Sequence, residues 1–380
     1  MSVIPLQQTF LKSKISTRFM FFSAGFITAS WAALIPVIKT ATGSDDGTIG
    51  LLLLCLGTGA ITGMPLAGMC ATRFGCKRVL MCSVTGFSLL FPALIMAHST
   101  ASIAVLLLIF GLFIGITDCT MNIQALMIEQ QSDTPLMSGF HGFYSLGGMS
   151  GAIALTTLLV TGIPVLISCM IISAFMLCGL FLSKGGLSKD VSSGGGPYFV
   201  LPEGPVILIS FVCFVIFLAE GTVLDWSGIF LSEYRSVSST STGIGIACFS
   251  VAMTAARLFG DKAVSFFGAE KMVNAGALTA IAGFVLTLSL DYTLAALCGY
   301  ILIGAGCANI IPVMFSACGK QSVMPASLAV TATSTLGYFG VLAGPALIGF
   351  TAELFTLPAA LYSVAVLIFI ALLVSLKIQK

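Results

Sequence analysis

Runs of about twenty apolar residues recur from one end of this chain to the other, each long enough to cross a ~30 Å hydrocarbon core as a helix. Lipid offers no partner to a backbone N–H or C=O, so a spanning segment must be a helix or part of a closed barrel. The runs are continuous rather than alternating, which excludes the short strands of a barrel. Charged residues make up 8% of the sequence and hydrophobic ones 58%, whereas a soluble protein is about 25% charged. An all-α membrane protein surrounded by lipid is therefore expected. Net charge is +2 with no basic run, so nucleic acid is not an expected partner.

Twelve spans are read, at 18–38, 48–70, 78–97, 102–128, 138–161, 163–183, 206–231, 241–260, 271–290, 293–317, 327–350 and 357–377. The long polar stretch between the sixth and seventh, rich in Gly and Ser, has a linker's composition. The expected domains are a six-helix bundle at 1–183, a cytosolic linker at 184–204 and a second six-helix bundle at 205–380. With the N-terminus in the cytosol, fourteen of the 16 Lys and Arg fall on cytosolic segments, and only Lys39 and Arg235 fall outside. The positive-inside rule thus favours two cytosolic termini. The apolar run near the N-terminus is too long for a signal peptide and lacks a clean cleavage site.

The two halves are copies. Thr48-Ile49-Gly50 aligns with Ser241-Thr242-Gly243, Arg73-Phe74-Gly75 with Phe266-Phe267-Gly268, and Gly147 and Gly151 with Gly340 and Gly344, all at an offset of 193. The two tryptophans, Trp31 and Trp226, lie 195 apart. Two pseudo-symmetric halves in so apolar a chain are typical of transporters, with the site where the repeats meet. Small residues four apart, such as Gly111 and Gly115, let helix backbones approach closely in lipid.

The segment after the second span reads Gly68-Met69-Cys70-Ala71-Thr72-Arg73-Phe74-Gly75-Cys76-Lys77-Arg78. It resembles the signature of the major facilitator superfamily, G-x-x-x-D-R-x-G-x-[KR]-[KR], at Gly68, Arg73, Gly75, Lys77 and Arg78. Thr72 stands where the family has aspartate, which puts a carboxylate-based cytosolic latch in doubt. In the second copy, Asp261 to Lys271, Gly268 and Lys271 survive and Phe266 replaces the arginine. His141-Gly142-Phe143-Tyr144-Ser145-Leu146-Gly147 and Ala219-Glu220-Gly221 with Asp225-Trp226 look like the YbjJ-like bacterial permeases, related to fucose-permease-like carriers. The resemblance implies alternating access in the bacterial inner membrane, with Gly68, Arg73, Gly75, Lys77 and Arg78 as gating residues.

Ionisable groups at membrane depth mark function, because each costs at least roughly 2.5–3.5 kcal/mol at a helix centre. Two carboxylates lie past the midplane: Asp118 in the fourth span and Glu220 in the seventh. Gly111, Gly115, Asp118, Asn122 and Glu129 share one face of a helix. That face lines a substrate or proton path, or pairs with a neighbouring helix. Asp118 and Glu220 are the candidates for proton coupling, against the alternative of permanent pairing with a polar neighbour.

The candidates for binding substrate are Trp31, Asn122, His141, Tyr144, Asp225, Trp226, Asn309 and Tyr338. The tryptophans either stack on a sugar ring or anchor at the interface, and His141 either titrates or packs. Asn309 lies in Gly304-x-Gly306-x-x-Asn309-x-x-Pro312, where the proline can break the helix and free carbonyls. Arg257 is expected to hold a gate or to snorkel.

Neither an ATP-binding P-loop nor a hydrolase or metalloprotease motif occurs, so an enzyme is not expected and a gradient must supply the energy. Twelve cysteines without a C-x-x-C pair, and two histidines, imply neither a metal nor a cofactor. The functional expectation is a monomeric secondary carrier for a small polar solute, a sugar for example, coupled to protons. The alternative is a drug–proton antiporter, for which 16 Met and 29 Phe offer an adaptable apolar lining.

Overall fold

The structure, a computed structural model, describes residues 3–97, 99–189, 201–238 and 241–378. The helices are α1 (Val3–Thr42), α2 (Asp46–Met96), α3 (Thr100–Glu129), α4 (Met137–Val160), α5 (Val165–Ser183), α6 (Pro205–Tyr234), α7 (Ile244–Phe267), α8 (Ala269–Ser289), α9 (Thr293–Cys307), α10 (Ile310–Cys318), α11 (Ala326–Leu354) and α12 (Leu357–Ile378). No strand occurs among the described residues. They divide into two compact units, one holding 3–131 and 143–189, the other 132–142 and 201–378.

Eleven helical segments are long and apolar enough to span a bilayer, with α9 and α10 together forming one of them, Thr293–Cys318. The 51 residues of α2 are too many for one crossing. They break at Gly75, whose φ of 79° and ψ of 151° are not helical, so α2 provides two arms and the crossings number twelve. The repeat is written into this backbone. Gly268, 193 residues on, has φ 86° and ψ 154° and separates α7 from α8. This region of backbone space is essentially closed to residues with a Cβ. Glycine therefore lets one spanning helix turn directly into the next in both halves.

In the first unit α2 and α3 interlock through glycine. A methyl on Gly59 or Gly63 would land on the carbonyl oxygen of Leu108 or Leu112, and one on Gly111 or Gly115 on that of Leu56 or Ala60. The α1–α4 seam is similar: methyls on Gly25, Gly147 and Gly151 would strike the carbonyls of Tyr144, Phe22 and Phe26. Its counterpart in the second unit is looser. A methyl on Gly340 would meet the carbonyl of Phe214, but one on Gly344 would sit 3.4 Å from that of Leu218, an ordinary contact.

Residues after α5 dock on the first unit. Lys77, just past the Gly75 break, donates its backbone N–H to the Ser188 carbonyl (2.8 Å). Ser188 donates its own to Gln124 Oε1 (3.1 Å), and Leu187 is buried. The central part of the expected linker, 190–200, lies outside the described residues. Pro205 opens α6 in its first turn, where a missing N–H costs nothing.

Arg235, which the topology reading leaves outside, is built into the second unit. Its Nη2 donates to the Thr287 carbonyl and its Nη1 to that of Tyr234, both at 2.7 Å. Nη1 also reaches Asp291 Oδ1 at 3.2 Å, but that carboxylate is solvent-exposed. The carbonyl of Thr287, in the last turn of α8, lacks a helical donor, and Arg235 supplies one.

The Gly268 backbone yields a direct expectation. Gly268→Ala should lower stability by about 1–3 kcal/mol, although nothing lies within 4 Å of the added carbon. Gly50→Ala, in a helix and equally open, should be neutral or stabilise by up to ~1 kcal/mol. Thermal unfolding of the purified variants in detergent checks both.

Candidate functional site

Pro312 has no N–H, so the carbonyl four residues back, Ala308, loses its helical donor. The chain breaks there: α9 ends at Cys307 and α10 begins at Ile310. Two side-chain contacts join this break to α7. Arg257 Nε donates to the Ala308 carbonyl (3.1 Å), and Asn309 Nδ2 donates to the Ala256 carbonyl (3.1 Å). Glycine makes room, since a methyl on Gly304 would meet the Phe249 carbonyl of α7 and one on Gly260 would meet Asn309 Oδ1.

From this anchor the guanidinium reaches α6. Arg257 Nη2 donates to Glu220 Oε1 at 3.0 Å, with side-chain exposures of 6% and 13%. Nε and Nη2 form one edge of the guanidinium, so that edge is shared between a backbone carbonyl and a carboxylate. Both residues sit near the middle of their helices, where an uncompensated charge is most costly. The structure thus joins Glu220, Arg257 and Asn309, which the sequence reading held apart as a coupling acid, a gate and a binding amide. Arg257 is not directed to a membrane surface: it is 5% exposed.

His141 is buried, its ring stacked on Phe315 with centroids 5.8 Å apart. Its turn of α4 packs on α7 through small residues. Gly142 abuts Leu258, and Gly139 donates its backbone N–H to Asp261 Oδ1 at 2.9 Å. Asp261 takes the place in the second copy that Gly68 holds in the first. Tyr338 of α11 is half-buried, Asp225 exposed, and Trp226 half-buried with its ring against Gly349.

In the first unit Asp118 is half-buried midway along α3. Among the described residues nothing pairs with its carboxylate; only its backbone carbonyl accepts, from Asn122 Nδ2 (2.9 Å). Gly111 and Gly115, on the same stripe, form the α2 seam, so that part of the face is helix packing. Trp31 is 4% exposed, packed on Phe110 with centroids 6.3 Å apart. Tyr144 is half-buried.

Of the signature residues, Gly68 is buried, Gly75 forms the break, and Arg73 and Arg78 are exposed, with Arg73 over the Phe74 ring. Thr72 turns its hydroxyl back to the Met69 carbonyl (2.8 Å), on its own helix. The sequence reading missed two polar contacts inside the units. Thr117 Oγ1 donates to Ser83 Oγ (2.7 Å), and the hydroxyls of Ser210 and Thr333 lie 3.1 Å apart, with Cys318 Sγ beside Thr333. The run Thr331-Ala332-Thr333-Ser334-Thr335 was the visible signal for the second.

Twelve apolar crossings in two repeated halves, with a buried ion pair between mid-helix residues, fit a helical membrane carrier. The chain belongs to the Major Facilitator Superfamily, whose family model matches residues 19–319. It is 42% identical over 359 residues to an uncharacterised MFS-type transporter of Yersinia pestis, covering 94% of each chain. Its fold is similar to that of the E. coli fucose:proton symporter FucP, with TM-score 0.80, 15% identity and coverage of 98% of this chain and 100% of that one. It is also similar to the proton:xylose symporter XylE, with TM-score 0.75, 13% identity and coverage of 98% and 96%. The chain is a multi-pass membrane transporter of small molecules.

The ion pair sets a stability expectation. Arg257→Gln leaves Glu220 buried without its partner, which costs on the order of 3–5 kcal/mol. Glu220→Gln combined with Arg257→Gln should be more stable than Arg257→Gln alone. Unfolding curves for the two single variants and the double variant measure this coupling.

Proposed function

We propose that this protein carries a small polar solute of the sugar class across a bacterial inner membrane together with protons, by alternating access, with both termini in the cytosol. The contrast between two acids carries the reading. Glu220 is held by Arg257, whereas Asp118 has no counter-charge among the described residues. A carboxylate without a partner at this depth is cheaper to keep protonated than charged. A proton bound at Asp118 removes its charge, and a proton bound at Glu220 weakens the pair with Arg257 until it leaves.

Asn122, Tyr144, His141, Asn309 and Tyr338 offer amides, hydroxyls and an imidazole suited to a polyhydroxylated solute. Trp31, Asp225 and Trp226 remain candidates for contact with it. Gly68, Arg73, Gly75, Lys77 and Arg78 are assigned to the cytosolic gate. The fucose and xylose symporters that share the fold support sugar and proton as the pair transported, and their low identity leaves the particular solute open to assay.

Adding the transported sugar to de-energised cells that overproduce the protein should raise the external pH. Glu220→Gln and Asp118→Asn should each abolish accumulation against a gradient while sparing solute exchange. A sugar and polyol panel, first screened by thermal shift on the purified protein, supplies the radiolabelled probe. Accumulation at the wild-type level in either variant removes that residue from coupling. Lowered drug tolerance on deletion, with no sugar-induced pH change, would identify export instead.

A further inference from the structure

Arg257 has more to do than neutralise an acid, because one of its donors is spent on the backbone. The carbonyl it meets belongs to Ala308, the one that Pro312 deprives of a helical N–H. We infer that Pro312 is a positioning residue: by freeing the Ala308 carbonyl it fixes the edge of the Arg257 guanidinium and so places Nη2 on Glu220.

The geometry supports each link. The bond from Nε to the Ala308 carbonyl is 3.1 Å and that from Nη2 to Glu220 is 3.0 Å. Arg257 is 5% exposed, so water does not compete freely for these donors. Asn309, also buried, ties the same break to the Ala256 carbonyl, which clips residues 256 and 257 to residues 308 and 309 by two independent bonds. A cation held in this way keeps its place when Glu220 loses its charge and meets it again when the charge returns. With an N–H at position 312 the Ala308 carbonyl would be shared with a helical donor, and its hold on the Arg257 Nε would weaken. The inference deepens the proposed role of Glu220 and rests on that reading only for its meaning in transport; the positioning itself is measured separately.

The probe is a carbodiimide, dicyclohexylcarbodiimide, which modifies protonated carboxyls in apolar surroundings. The rate of Glu220 modification is read by peptide mass spectrometry on the full-length protein in nanodiscs. Pro312→Ala supplies the missing N–H, and Arg257→Lys keeps the charge but removes Nε. Each should raise the Glu220 rate about three- to tenfold, as expected for one net hydrogen bond. The double variant should show no increase beyond the larger single effect. A wild-type rate in Pro312→Ala, or effects that multiply in the double variant, would overturn the inference.

Should Pro312→Ala not fold, exchange of the Arg257 Nε–H in wild-type protein labelled with 15N-arginine decides. Slow exchange is expected, and exchange as fast as that of exposed Arg78 refutes it. If Glu220→Gln still accumulates sugar, the coupling role fails while the modification rates continue to report on Pro312.

Discussion

A carbonyl in lipid has no donor except one the protein provides. That constraint governs the whole molecule. It makes every crossing a helix, and it turns each helix break into a position that needs a named partner. At the end of α8 the partner is Arg235, which donates to Thr287. At the break between α9 and α10 it is Arg257, which donates to Ala308. In both cases an arginine, too costly to leave in an apolar setting alone, and an orphaned carbonyl, equally costly, resolve each other.

Packing obeys the same economy. Without a hydrophobic drive between helices already in lipid, close backbone approach supplies the attraction. The glycines of α2, α3 and α4 bring their neighbours to the point where a methyl group would not fit. The corresponding α6–α11 seam follows the same plan but has slack at Gly344. Two copies of one sequence plan have thus kept the architecture while differing in tightness. They differ in chemistry too: the second unit holds its acid in an ion pair, and the first presents Asp118 without one.

That difference bears on the proposed proton-coupled cycle. Such a cycle needs a group whose charge changes and a structure that registers the change. Glu220 and Arg257 provide a pair whose strength depends on charge, set at a backbone break that does not depend on it. Asp118 provides an acid with little to stabilise its charge. The signature segment after the first arm of α2 is built differently from the family pattern. Thr72, in place of an aspartate, bonds to its own helix, while Asp261 accepts from the backbone at the start of α4.

The sequence by itself determined the class, the number of crossings and the repeat, because all three are properties of order along the chain. Run length against bilayer thickness gave the spans, and the constant offset located Gly75 and Gly268, the two turns that only glycine can make. The sequence also marked Glu220, Asp118 and Pro312 as anomalies at depth. It did not show who partners whom. Arg257 read as a gate or a snorkelling cation, and Gly111 and Gly115 shared a stripe with Asp118 although they serve the α2 seam. Such pairings lie between residues on different helices, and they are fixed by how helix faces rotate and cross. Only the tertiary structure sets those angles, and it alone brought Glu220, Arg257 and the Ala308 carbonyl to one edge of a guanidinium.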